Sequence, residues 1–315
     1  MSRLILLMPF FARRFVANLV VMAGLALLAS CGGGTSQIQA FVPSRLIAFG
    51  DETSVITPAG HKYSINAFGV DLNTLDCNAS PIWIQVVAAH YGFGFAECPL
   101  ATGQEKAYVR ARAEARVEDF ALQVDAQVGA GGFLETDLVT VLVGANDVLD
   151  LYRQYPSKTR DEVLSMARQR GETVAAQVNR LVKLGAKVIV STVPDLGLSP
   201  YGQAQGTAGA TLLSDLVFAM NGRIRVNILN DGRYVGLVLA DEYIQTANKA
   251  PGYFGLTNAS AAACLTPLPE CTTNDLSNPA VAKEGWLWAS DRWLATGGHR
   301  QLGALALARA RGNPF

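Results

Sequence analysis

The run Asp137-Leu138-Val139-Thr140-Val141-Leu142-Val143 is nearly all apolar and rich in β-branched residues. That pattern belongs to a parallel strand covered on both faces. Arg45–Phe49, Lys187–Val193 and Tyr234–Leu239 read as further buried strands. Helical patterns separate them. Pro81–Tyr91 follows a Ser80-Pro81 start signal, and Lys106–Val128 aligns Val109, Ala113, Val117, Phe120 and Val124 on one face. Asp161–Leu184 ends at Gly185, a natural helix stop, and Leu212–Leu229 and Gly298–Arg311 complete the alternation. Strand-helix-strand units of this kind specify an open α/β sheet with helices on both faces, a three-layer α/β/α sandwich with a mainly parallel sheet. In such sheets the functional site lies outside the carboxyl ends of the strands, where Glu52 and the turn Gly144-Ala145-Asn146-Asp147 both fall.

At 315 residues and 50% hydrophobic content the chain can bury a sizeable core. Its 26 basic and 26 acidic residues cancel, which argues against a nucleic-acid partner. The N-terminus has the order of an export signal. Arg3, Arg13 and Arg14 supply positive charge, Phe15–Leu28 supplies an apolar stretch too short for a convincing bilayer span, and Leu28-Ala29-Ser30-Cys31 follows. That tetrapeptide resembles the bacterial lipobox. The resemblance implies a lipoprotein signal peptide over residues 1–30, a lipid on Cys31, a flexible tether over 31–44 that begins Gly32-Gly33-Gly34, and a single domain over 45–315. The expected partner is then a membrane, reached through Cys31. Gly32 after the cysteine resembles lipoproteins sent to the outer membrane of the cell envelope.

Setting Cys31 aside leaves Cys77, Cys98, Cys264 and Cys271, an even number in an exported chain. Three pairings are possible, and proximity in sequence favours Cys77–Cys98 and Cys264–Cys271. With no CxxC pair and no histidine at ligand spacing, a zinc site is not expected, nor is any cofactor.

Phe49-Gly50-Asp51-Glu52-Thr53-Ser54, at the end of the first strand, resembles the Phe-Gly-Asp-Ser block of the GDSL/SGNH esterase and lipase family. Further blocks follow in the family's order. Gly144-Ala145-Asn146-Asp147 is similar to its Gly-x-Asn-Asp block, Pro194-Asp195-Leu196-Gly197 to its Pro-Asp-Leu-Gly segment, and Gly255-Leu256-Thr257-Asn258 with Cys264 to a stretch of secreted bacterial members. The resemblance runs from about Arg45 to Arg311. It implies an SGNH-hydrolase-like, flavodoxin-like fold and a site built from a serine nucleophile, a histidine base, an orienting acid and oxyanion donors.

Most of those reactive residues are missing. Ester hydrolysis by this route needs a hydroxyl nucleophile, an imidazole to take its proton and donors aimed at the developing oxyanion. Glu52 stands at the nucleophile position. Aligning the closing block on Gly298-His299 puts Trp293 at the base position and Ser290 at that of the acid, and a shift that made Asp291 the acid supplies no histidine three residues later. An indole donates one hydrogen bond but cannot shuttle a proton. Asn146 matches the side-chain oxyanion donor, and Ser80 aligns with the second block's glycine, whose backbone N–H is the other donor. The resemblance therefore implies a binding or structural protein with an acyl-ester or glycan ligand and a lost triad. The alternative is an active ester hydrolase using Ser54 or Glu52. Other chemistries considered are a Glu52–Asp147 carboxylate pair for glycoside cleavage, a hard cation on Asp51, Glu52 and Asp147, and His61 as a base from its loop. His90 and His299 read as structural helix residues.

Overall fold

In the computed structural model, residues 41–71, 73–98, 103–229, 231–312 and 315 are described. The expected signal segment, Cys31 and most of the expected tether lie outside the described residues. Six strands form one parallel sheet in the order β2-β3-β1-β4-β5-β6. They are β1 (Arg45–Gly50), β2 (Phe93–Phe95), β3 (Gln104–Val109), β4 (Asp137–Leu142), β5 (Lys187–Ser191) and β6 (Val235–Val238). The helices are α1 (Trp83–His90), α2 (Val117–Gly129), α3 (Ala145–Gln154), α4 (Arg160–Lys183), α5 (Pro200–Ala204), α6 (Gly206–Asn227), α7 (Ala240–Lys249) and α8 (Thr296–Gly312). A short parallel pair, β7 (Asn258–Ala262) and β8 (Trp286–Trp288), lies outside the main sheet. Among the described residues no helix is long and apolar enough to cross a membrane.

Strand geometry explains the apolar runs. Successive side chains point to opposite faces, and both faces are buried. Ile47, Phe49, Val139, Val141, Val188 and Val190 join the core shared with α2, α3, α4 and α6. Leu46, Ala48, Leu138, Leu142 and Ile189 join the opposite core, shared with α1, α7 and α8. The three-layer α/β/α arrangement expected from sequence is the one observed. Both disulfides, Cys77–Cys98 and Cys264–Cys271, are formed with the expected pairing.

The expected helix over Lys106–Val128 needs correction. Its first part is β3, which pairs with β1 and β2, and only Val117–Gly129 is helical. The apolar spacing ran on across a loop because Val109, at the strand's end, and Val117, at the helix start, happen to sit eight residues apart. The helix start is marked by Asp119, whose carboxylate accepts the N–H of Arg116 at 2.9 Å.

Close packing of α4 against α6 depends on Gly171. A Cβ there would stand 2.2 Å from the carbonyl oxygen of Met220, a contact that only backbone movement relieves. Gly171→Ala is expected to destabilise the protein by about 1–3 kcal/mol, as overpacking does. Chemical denaturation measures this, and an unchanged midpoint would show that the helices are free to separate.

Candidate active-site cleft

The cleft is organised by the end of β1. Gly50 adopts φ +130°, and a Cβ on it would lie 1.8 Å from the carbonyl oxygen of Leu142 on the neighbouring β4. Only glycine allows so close an approach. Gln123 of α2 clamps this residue from the other side, its Oε1 accepting the Gly50 N–H and its Nε2 donating to the Gly50 carbonyl, both at 2.9 Å. The chain then enters a single 3-10 turn, Glu52–Ser54, opened by Asp51.

Asp51 is fully buried. Its Oδ1 accepts the N–H of Thr53 at 3.1 Å, and its Oδ2 has no partner among the described residues. Burial, then the neighbouring Glu52 charge, pushes its carboxyl up to about 8, so that it carries a proton at neutral pH.

Glu52 is buried and its carboxylate is held at both ends. Oε1 accepts the backbone N–H of Glu114 at 2.8 Å, and Oε2 accepts from the Asn146 side-chain Nδ2 at 2.9 Å. Asn146 also donates to the Ala115 carbonyl at 3.1 Å, which fixes its amide. Glu114 is the one described non-glycine residue with positive φ, at 62°. That left-handed turn costs a non-glycine residue of the order of 1 kcal/mol. The Glu114 N–H and the Asn146 amide are the two donors that meet residue 52.

Ser80 belongs elsewhere. Its hydroxyl lies 2.6 Å from that of Thr296, and its carbonyl accepts from the buried Lys62 Nζ at 2.8 Å. Lys62 also donates to the Cys77 carbonyl at 2.5 Å, and burial lowers its ammonium to about 7. Beside this group, His299 takes the N–H of Trp83 on its Nδ1 at 3.3 Å and so caps α1. Burial, then the Lys62 charge, drives its imidazole down to about 3, which leaves it neutral.

The open part of the site is a cavity of about 470 Å³ lined by Glu52, Glu114, Arg116, Asn146, Leu149, Arg153, Arg292 and Trp293. Trp293 thus lines the cleft, whereas Ser290 supports the turn behind it. The Ser290 hydroxyl oxygen accepts the backbone N–H of Trp293 at 3.2 Å. Arg116 pairs with Asp150 and Arg292 with Asp291, each at 3.2 Å. The sequence marked Glu52, Asn146 and Trp293. It gave no sign of Glu114 or of the three arginines, which arrive on loops and on α3.

No hydroxyl, thiol or imidazole is among the lining side chains. Ser54 is fully buried, with its Oγ accepting the Trp83 indole N–H at 3.1 Å, and it does not reach the cavity. His61 sits beside Glu270 and Pro269, and His90 is exposed against Tyr91. Asp147 is committed as well. Its Oδ1 accepts from Arg170 at 2.6 Å and its Oδ2 from the Val117 N–H at 3.0 Å, so it offers Glu52 no free carboxylate partner for glycoside cleavage. Among the described residues no cluster of His, Cys, Asp or Glu is arranged to hold a metal ion.

No family model matches the chain, and no curated protein matches it. Solved structures similar to it include GDSL-type lipases and acetyl xylan esterases. One is a lipolytic G-D-S-L family protein of Veillonella parvula, 12% identical at a TM-score of 0.42, covering 84% of this chain and 96% of that one. A second is the acetyl xylan esterase AlAXEase, 12% identical at 0.43, covering 82% and 96%. A third, an acetylxylan esterase of Geobacillus stearothermophilus, is 16% identical at 0.37, covering 85% and 94%.

The buried Asp51 makes a pH signature. Its carboxyl is raised from 3.8 to about 8 on folding, so its contribution to stability is fully present below about pH 4 and is lost as pH rises towards 8. Asp51→Asn removes that dependence. The stability of the variant relative to the parent is expected to rise between about pH 4 and 8 and to level off above, as read by denaturation at fixed pH values. A difference that stays flat across this window would mean that Asp51 is ionised in the folded chain.

Proposed function

We propose that this chain is a GDSL/SGNH-type domain that has lost ester hydrolysis and works as a lipid-anchored binding protein of the bacterial cell envelope. The observation that carries this reading is the Glu52 carboxylate between the Glu114 N–H and the Asn146 amide. In a serine esterase two such donors face the oxygen that becomes negative in the transition state. Here an internal anion takes both. A carbonyl entering the cleft finds the donors engaged, a negative charge where its own would develop, and no hydroxyl or imidazole to start the reaction.

The lining also bears on the ligand. Two acids, three arginines and an asparagine surround one indole and one leucine. A long acyl chain would strip water from those charged groups without replacing its hydrogen bonds. A glycan suits them better, with ring hydroxyls meeting the charged side chains and an apolar ring face on Trp293.

Two measurements test the proposal. Purified full-length protein is expected to hydrolyse p-nitrophenyl acetate no faster than a matched Glu52→Ala variant. Turnover abolished by Ser54→Ala, or by a serine-directed phosphonate, would overturn the loss of activity and install a serine mechanism. Separately, Cys31→Ala is expected to release the protein from the membrane fraction or to leave its signal segment uncleaved. A variant that fractionates and migrates like the parent rules out the anchor.

A further inference from the structure

All six strands of the main sheet run parallel, so their amino ends gather at one edge and their carboxyl ends, with the cleft, at the other. The amino edge holds large apolar side chains in solvent. Val42, before β1, is 72% exposed and Leu134, before β4, 53%. Leu184 before β5, and Leu229 and Tyr234 before β6, are exposed as well.

The loops that bear these residues touch one another across the sheet. Ser44 donates its N–H to the Thr136 carbonyl at 2.9 Å, which joins the first loop to the second. A Cβ on Gly185 would lie 3.9 Å from the carbonyl carbon of Leu134, and the Lys187 amine donates to the Arg233 carbonyl at 2.9 Å. The five apolar residues therefore form a row along one edge and are not scattered singly. Such a row marks a contact surface.

What covers it follows from where the chain enters the domain. Phe41, the first described residue, sets its ring edge-on to that of Phe315 at 5.6 Å, and the chain passes from there through Val42 and Ser44 onto the amino edge. Cys31 precedes Phe41 by ten residues, and ten residues span at most about 36 Å. A lipid on Cys31 would hold Phe41 within that distance of the bilayer. The cleft lies a strand length further on, about 20 Å for the six residues of β4.

We propose that the amino edge of the sheet rests on the bilayer that holds Cys31, so that the cleft opens away from the membrane. This orientation rests on the lipid anchor proposed above. Val42 and the three leucines enter the boundary between headgroups and acyl chains, and Tyr234 lies there with its ring in apolar surroundings and its hydroxyl in water. Charge on the edge agrees. Arg45 pairs with Asp137 and Arg233 with Asp231, each at 2.7 Å, which leaves Lys183 and Lys187, on either side of Leu184, against Glu135. Lysines so placed lay their stems on apolar surface and turn their ammonium groups to lipid phosphates. A partner protein could use the same row but gives no reason for its lying where the tether enters.

A polarity-sensitive dye tests the orientation. The four cysteines of the domain are bonded in pairs, so one added cysteine can be labelled selectively. In the full-length chain reconstituted into phosphatidylethanolamine–phosphatidylglycerol vesicles, a nitrobenzoxadiazole dye on Leu134→Cys is expected to emit to the blue of the same dye on Arg153→Cys at the cleft. Nitroxide-labelled acyl chains are expected to quench it about twofold or more beyond the dye at 153. Equal quenching at the two positions, or a dye at 134 that reports water, overturns the proposal. So does a blue shift at 134 that comes without quenching and grows with protein density, which would assign the row to a second copy of the chain. Fractionation of Cys31→Ala reads the anchor by itself. An anchored protein whose dye at 134 stays in water therefore fails the orientation alone, whereas a Cys31→Ala variant that fractionates like the parent fails the anchor.

Discussion

The Glu52 carboxylate ties together three strand ends that would otherwise be separate loops. It sits just beyond β1, and it takes one hydrogen bond from the loop that follows β3 and one from the start of α3, just beyond β4. Because β1 lies between β3 and β4 in the sheet, those loops are its two neighbours. A charged acceptor strengthens both bonds, and burial raises what would be lost if either were broken. The strained backbone at Glu114 is held in place by this bond, and the Asn146 amide is fixed in a single orientation by its two acceptors. Much of what gives the cleft its shape follows from one side chain.

A second polar assembly, under the start of α1, does comparable work without reaching the cleft. Lys62 bridges the Cys77 and Ser80 carbonyls, Ser80 meets Thr296 at the start of α8, and His299, one turn further on, caps α1. These groups are buried and mostly satisfied, so they specify how α1 and α8 meet on the sheet. A histidine in this setting is driven neutral and has no role in proton transfer at the cleft. His299 thus serves the packing of α8 against α1.

How much of this was legible in the sequence depends on whether a side chain or the backbone carries the information. Strands β1, β4, β5 and β6 are legible because burial on both faces demands apolar runs. Strand β3 is not, because Gln104, Glu105 and Lys106 are exposed and its apolar residues blend into the spacing of α2. At the cleft, Glu52, Asn146 and Trp293 can be placed because their side chains occupy motif positions. Glu114 acts through a backbone N–H in a left-handed turn, and a glycine there would have signalled the turn where a glutamate in an Ala-Arg-rich stretch does not. Arg116, Arg153 and Arg292 depend on the paths of loops and on the exposed side of α3, which no local pattern records.

Gly50 carries a consequence for how such a site changes over time. Its backbone lies against Leu142 so closely that no other residue fits, and the clamp from Gln123 acts on the peptide groups of Gly50 itself. The course of the turn is therefore set before residue 52 is reached, by contacts in which the side chain at 52 takes no part. Whatever residue stands there is delivered to the same point at the sheet's edge. Architecture and reactivity are in this way separately heritable, and a chain can exchange one for another kind of chemistry at that tip, or for none, while the sheet beneath keeps its form.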